Sequence, residues 1–192
     1  MHAHGVVASG QESVPAFVGL GLTHMLTGWD HLLFIAGVVL LAWRPRRSAS
    51  LLSIFALGHS STLLIATAAG WRIDASLVDV VIADSVAFVG AFGLVGRPAR
   101  YRWFGCAVLA FGLVHGLGLA TRFQALAVPP AGTVPRLLAF NLGVEVGQFL
   151  VLYLLYLAGD MVTRGARWVR IERVAFGVLL GIGLTSGLAL SF

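Results

Sequence analysis

Lysine is absent from this chain, and all thirteen of its basic residues are arginine. Cysteine occurs once, at Cys106, and methionine three times. One thiol excludes an internal disulfide framework and a thiolate metal cluster, and so little sulfur argues against a soft Cu(I) pathway. Charge is scarce as well. Only 11% of the 192 residues are Asp, Glu, Lys or Arg, too few to clothe a soluble globule of that size. The formal net charge of +5 invites a nucleic-acid reading. The arginines, however, stand between apolar runs without interleaved aromatics, so they read as topology signals. No nucleotide-binding motif is present, so any coupling to ATP requires a partner chain.

What fills the chain is apolar surface: 58% hydrophobic residues and a mean hydropathy of +0.92. That composition predicts a single all-α domain over 14–192, a polytopic membrane bundle of six transmembrane helices behind a short extracytoplasmic tail over 1–13. The spans run from about Val14 to Trp43, Ser48 to Ala69, Ala75 to Val95, Trp103 to Ala120, Arg136 to Ala158 and Val174 to Phe192. No separate signal-peptide core precedes the first span, whose apolar run is too long to be one. His2 and His4 lie in the tail and could collect metal at the mouth of the protein. Connections after the first, third and fifth spans hold most of the arginines, including Arg44, Arg46, Arg47, Arg97, Arg100, Arg164 and Arg167. By the positive-inside rule those connections are cytoplasmic and both termini lie outside.

The first span carries the stretch on which the rest turns, Gly21-Leu22-Thr23-His24-Met25-Leu26-Thr27-Gly28-Trp29-Asp30-His31-Leu32-Leu33-Phe34. An Asp near the centre of a membrane helix costs about 2.5 to 3.5 kcal/mol, and ionisable residues at such depth mark sites. His24 and His31 are two turns apart, so an unbroken helix stacks them on one face. Gly28 between them is a candidate break, with Thr27 available to cap a new helix. A break frees backbone groups at membrane depth, which is tolerated only where protein or a cavity surrounds them.

Further polar residues recur along the chain: His59, Asp79, Asp84, His115, Asn141, Glu145 and Gln148. Asn141, Glu145 and Gln148 fall on one helical stripe, and Gly143 and Gly147 beside it admit a close neighbour. Left scattered, the histidines and carboxylates would cost on the order of 10 kcal/mol, a penalty largely removed by convergence on a cation or a wet path. Imidazole and carboxylate with almost no sulfur suit Ni²⁺, Co²⁺ or Zn²⁺. Asp30 can ligate directly or fix the tautomer of a neighbouring imidazole. Gly21-Leu22-Thr23-His24 also echoes Gly112-Leu113-Val114-His115, which suggests that spans 1 to 3 and 4 to 6 form an inverted repeat.

His24-x5-Asp30-His31-Leu32-Leu33-Phe34, His59-Ser60-x-Thr62-Leu63, His115-Gly116-Leu117-Gly118 and Phe140-Asn141-x-Gly143-Val144-Glu145-x-Gly147-Gln148 together resemble the HupE/UreJ family. The resemblance implies a bacterial inner-membrane protein associated with nickel or cobalt uptake for hydrogenase or urease maturation. The His-x5-Asp-His motif is similar to the metal signature of larger nickel/cobalt permeases, which makes His24, Asp30 and His31 candidate ligands. In the third span Asp79 matches the family's acidic residue. Asp84 stands about 140° further around the helix, so the two do not share a face.

The sequence therefore predicts a non-enzymatic metal permease. Its candidate ligands are His24, Asp30, His31, His59, His115 and Glu145, with Asp79, Asp84, Asn141 and Gln148 as supporting or pathway residues. Partners would be the metal ion and the lipid bilayer, with a second copy, a metallochaperone or an energising chain as further candidates and no nucleic acid. Two other classes compete. An intramembrane serine hydrolase of rhomboid type would pair Ser60 or Ser61 with His115, and needs nucleophile and base within hydrogen-bond reach. A haem-binding or metal-binding protein that does not transport would use paired histidines.

Overall fold

A computed structural model describes residues 13–96, 98, 101–125, 130–162 and 168–190. His2 and His4, and the arginines at 97, 100, 164 and 167, lie outside them. The described residues form seven helices: α1 Val14–Thr27, α2 Trp29–Ala42, α3 Pro45–Ala69, α4 Ala75–Val95, α5 Tyr101–Gln124, α6 Pro130–Val162 and α7 Trp168–Leu190. Helices α3 to α7 are each long and apolar enough to cross a membrane, and the protein is a multi-pass membrane protein. Helices α1 and α2 pass the same test only as a pair, bent by 68° at Gly28. Each has 14 residues, about 21 Å of helix, which is short of a hydrocarbon core of about 30 Å.

The chain breaks where the sequence places the break, by a different device. Thr27 does not cap α2; its hydroxyl donates back to the Thr23 carbonyl at 2.8 Å. Gly28 itself is the N-cap, and its amide donates to the His24 carbonyl at 3.0 Å. Glycine is required there for space. A Cβ at position 28 would lie 2.6 Å from His31 Nδ1 and 3.1 Å from Asp30 Oδ1. At the other end of α2, Trp43 adopts a left-handed conformation with φ 38°, turning the chain toward Pro45 at the start of α3. The Tyr101 hydroxyl donates to the Leu41 carbonyl at 3.0 Å, satisfying one of the acceptors that a helix end leaves open.

Pro130 opens α6, as proline tolerates a first helical turn, so that helix begins earlier than the Arg136 start read from the proline-rich stretch. Helix α2 is the axis of packing. It touches α1, α3, α4, α6 and α7, and buries Phe34, Ile35, Val38, Val39 and Leu41 almost completely. Around it the longer helices associate in three intimate pairs: α1 with α6, α3 with α5, and α4 with α7.

Glycines set the register of these pairs, and the registers repeat. A Cβ on Gly21 would strike the Phe140 carbonyl, and one on Gly112 the Phe55 carbonyl. A Cβ on Gly143 would meet the Val18 carbonyl and the Leu22 amide; one on Gly58 would meet the Leu109 carbonyl and the Leu113 amide. One constant shift carries Val18, Gly21, Leu22 and His24 onto Leu109, Gly112, Leu113 and His115. Another carries Phe55 and Gly58 onto Phe140 and Gly143. The remaining pair maps onto itself, Gly90 abutting the Leu180 amide as Gly183 abuts the Ala87 amide. An approximate two-fold relation thus exchanges α1·α6 with α5·α3, the arrangement expected of an inverted repeat.

Candidate metal centre

The bend at Gly28 brings the first two imidazoles together. His24, at the end of α1, and His31, in the first turn of α2, have ring centroids 5.0 Å apart, edge to face. His115 of α5 brings a third ring 5.3 Å from His31. His31 and His115 are buried.

Hydrogen bonds orient the His31 and His115 rings. His31 Nδ1 is 2.8 Å from Asp30 Oδ1, which as a carboxylate accepts, so His31 carries its proton on Nδ1. His115 Nδ1 donates to the Phe111 carbonyl at 2.8 Å. In both rings Nε2 is the nitrogen left uncommitted by these bonds, and His115 Nε2 is buried with no hydrogen-bond partner. A carboxylate behind a metal-binding imidazole is a recurrent way of fixing its tautomer. Asp30 also stands in the first turn of α2, where a negative charge complements the helix N-terminus.

Aromatic rings floor the cluster. Phe55 lies 4.9 Å and Phe34 6.3 Å from the His115 ring, and they lie 5.1 Å from one another. Phe34 ends the His24-x5-Asp30-His31-Leu32-Leu33-Phe34 motif, whereas nothing in the local sequence marks Phe55 as a neighbour of these rings. As the side chains are placed, no three His, Cys, Asp or Glu donors among the described residues stand close enough together to enclose a metal ion. To hold an ion together, the three rings would have to change rotamer.

The other candidates distribute differently. His59, on α3, is 2% exposed and lies within electrostatic reach of His24, His31 and His115. It lines a cavity between α3 and α6 together with Ser60, Asn141 and Glu145. Glu145 is exposed at the edge of this cavity instead of being buried against other helices. Gln148 is buried and donates to the Leu52 carbonyl at 3.0 Å, a tie between α6 and α3. Asp79 pairs with Arg122, both carboxylate oxygens 2.7 Å from one guanidinium nitrogen. Asp84 is exposed and faces Gly187 of α7. Asp79, Asp84 and Gln148 are therefore engaged elsewhere than among the imidazoles. Ser60 lines the cavity and His115 Nε2 has no partner, so neither Ser60 nor Ser61 forms a dyad with His115.

No curated protein and no solved structure matches the chain significantly. The family described as HupE / UreJ protein matches residues 2–190, nearly the whole chain, and with its membrane helices and its clustered histidines the chain belongs to that family.

Proposed function

We propose that this protein is a permease of the bacterial inner membrane for a divalent transition-metal ion, Ni²⁺ or Co²⁺, with Zn²⁺ also compatible with the donors. The HupE/UreJ family is associated with nickel and cobalt transport or with urease and hydrogenase maturation, and is not a family of known enzymes. The observation that carries the reading is the paired commitment of His31 and His115. Each ring has its Nδ1 occupied, by Asp30 and by Phe111, which leaves Nε2 as the ring atom available to an ion. Imidazole nitrogen of that kind suits nickel, cobalt and zinc. His24 supplies the third ring, and Asp30 contributes one negative charge against the two of the ion.

In this reading both termini face the outside, and the ion enters from there. It exchanges water for imidazole beside the bend at Gly28 and leaves toward the cytoplasm once the Phe34 and Phe55 rings part. His59 and Glu145, the remaining members of the expected donor set, act from the adjoining cavity. The test is uptake of Ni²⁺, Co²⁺ and Zn²⁺ into proteoliposomes containing wild type, His31→Ala or His115→Ala. Wild type should accumulate at least one of these ions, and each variant should lose most of that uptake. Wild-type vesicles no leakier to all three ions than empty ones would refute transport.

A further inference from the structure

The cavity between α3 and α6 has a volume of about 300 Å³ and brings His59 and Ser60 of one helix against Asn141 and Glu145 of the other. Three of its buried polar atoms have no hydrogen-bond partner: His59 Nδ1 and the two amide atoms of Asn141. His59 is 2% exposed, and its Nδ1 makes no hydrogen bond. Asn141 lies beside His59, yet neither its amide oxygen nor its amide nitrogen forms a bond of acceptable geometry. Buried polar atoms in folded proteins nearly always have partners, so unpartnered imidazole and amide atoms beside one cavity mark where a ligand's own polar groups would be met.

The position of the cavity supports the same conclusion. The relation that exchanges α3 with α6 carries Ala56 to Asn141, His59 to Val144 and Ser60 to Glu145, and all six residues line this cavity. The cavity therefore sits on the approximate two-fold axis, between the two halves of the chain. Membrane transporters built from inverted repeats hold their cargo at that interface. The donors available are an imidazole nitrogen, an amide oxygen, a hydroxyl and a carboxylate. One negative charge with nitrogen and oxygen donors fits a partly hydrated divalent cation better than an anion, which the Glu145 carboxylate would repel.

Phe55 touches both this set and the cluster of three imidazoles. Its ring stacks near His59, at 6.3 Å and 18° between planes, and meets His115 edge-on at 4.9 Å. We infer that the cavity is a second cation station, held by His59, Asn141 and Glu145, and that Phe55 partitions it from the centre formed by His24, His31 and His115. This deepens the permease reading and rests on it. An ion relayed between two partial sites is held less tightly at each than in one complete cage, which suits release as well as capture.

The two stations predict a stoichiometry. Untagged full-length protein in detergent, with His2→Ala and His4→Ala so that the tail contributes nothing, is titrated with Ni²⁺ calorimetrically and analysed for bound metal. Two equivalents are expected. Glu145→Gln, a nearly isosteric change at the exposed rim, should weaken one step at least tenfold and leave the other within twofold. Asn141→Ala should affect the same step, whereas His31→Ala should remove the other. A single equivalent, lost in His31→Ala and retained in Glu145→Gln, would overturn the second station and leave the metal-binding centre standing. Two unaltered equivalents in Glu145→Gln would also overturn it. No binding by the tail-substituted parent would overturn both readings together.

Discussion

A single carboxylate oxygen, Asp30 Oδ1, holds His31 twice: it lies 2.8 Å from the backbone amide of His31 and 2.8 Å from its ring Nδ1. Adjacent residues do not face one another on a regular helix. The contact exists because Asp30 and His31 occupy the first turn after a 68° bend, where backbone amides have no helical acceptor. One side chain thereby satisfies an amide of the first turn, orients the imidazole and places negative charge beside the cluster.

Removing that charge should weaken the centre without dismantling it. Asp30→Asn keeps an acceptor oxygen but loses the carboxylate, and outer ligands of this kind contribute 10- to 100-fold in metal affinity. A drop of at least tenfold for Ni²⁺ is expected in calorimetric titration. Gly28→Ala should weaken the same step by displacing the His31 ring, since the added Cβ would stand 2.6 Å from Nδ1. Unchanged affinity in both variants would mean that His31 is not a ligand.

The break at Gly28 was legible because a glycine and a buried carboxylate interrupt an otherwise unbroken apolar run. Span ends were legible because arginines and prolines mark them. What periodicity could not supply is which neighbour a face meets. The stripe of Asn141, Glu145 and Gln148 is real, yet Gln148 ties α6 to α3 while Glu145 stands at the cavity rim. The pairing of Arg122 with Asp79 is not legible in the sequence, because the two are 43 residues apart and nothing local links them. The echo between His24 and His115 was visible in four letters. Its meaning came from the glycine contacts of four different helices.

A crossing by the bent pair, with both termini outside, predicts opposite accessibility for two exposed positions. In a Cys106→Ala background, Arg72→Cys, between α3 and α4, should react with a membrane-impermeant maleimide added to intact cells. Arg46→Cys, at the start of α3, should react only after the membrane is opened. Val14→Cys, at the start of α1, should behave like Arg72→Cys. If Val14→Cys instead reacts like Arg46→Cys, α1 and α2 form a re-entrant loop and the chain crosses five times.

Asp79 should matter more to transport than Asp84, and through Arg122. Their ion pair joins the start of α4 to the end of α5, seven residues beyond His115. Half-exposed pairs of this kind contribute about 1 kcal/mol or less to stability, so Asp79→Asn should fold normally. It should nonetheless slow uptake several-fold by loosening the end of the helix that carries His115. Arg122→Gln should do the same, and the exchanged pair Asp79→Arg with Arg122→Asp should recover part of the loss. Abolished uptake in Asp84→Asn with normal uptake in Asp79→Asn would reverse the assignment.

The repeated glycine registers make the sharpest stability prediction. Gly21→Ala drives a methyl group into the Phe140 carbonyl, and Gly112→Ala drives one into the Phe55 carbonyl. Backbone atoms inside helices cannot step aside as a flexible side chain can, so α1 must part from α6 and α3 from α5. Overpacking of this kind typically costs about 1 to 3 kcal/mol. For a chain of this length that corresponds to roughly 2 to 4 °C in Tm per kcal/mol. Both variants should therefore lose several degrees in apparent Tm, followed by tryptophan fluorescence in detergent. They should also transport less, since Phe55 and Phe140 stand beside the imidazoles. Gly177→Ala is the control: an exposed helical glycine with nothing within 4 Å of the added methyl should change Tm little or raise it. Because the two-fold relation exchanges Gly21 with Gly112, the two losses should be similar. A large loss in one variant with none in the other would show that the two interfaces are not equivalent, and the inverted-repeat architecture would fall with that result.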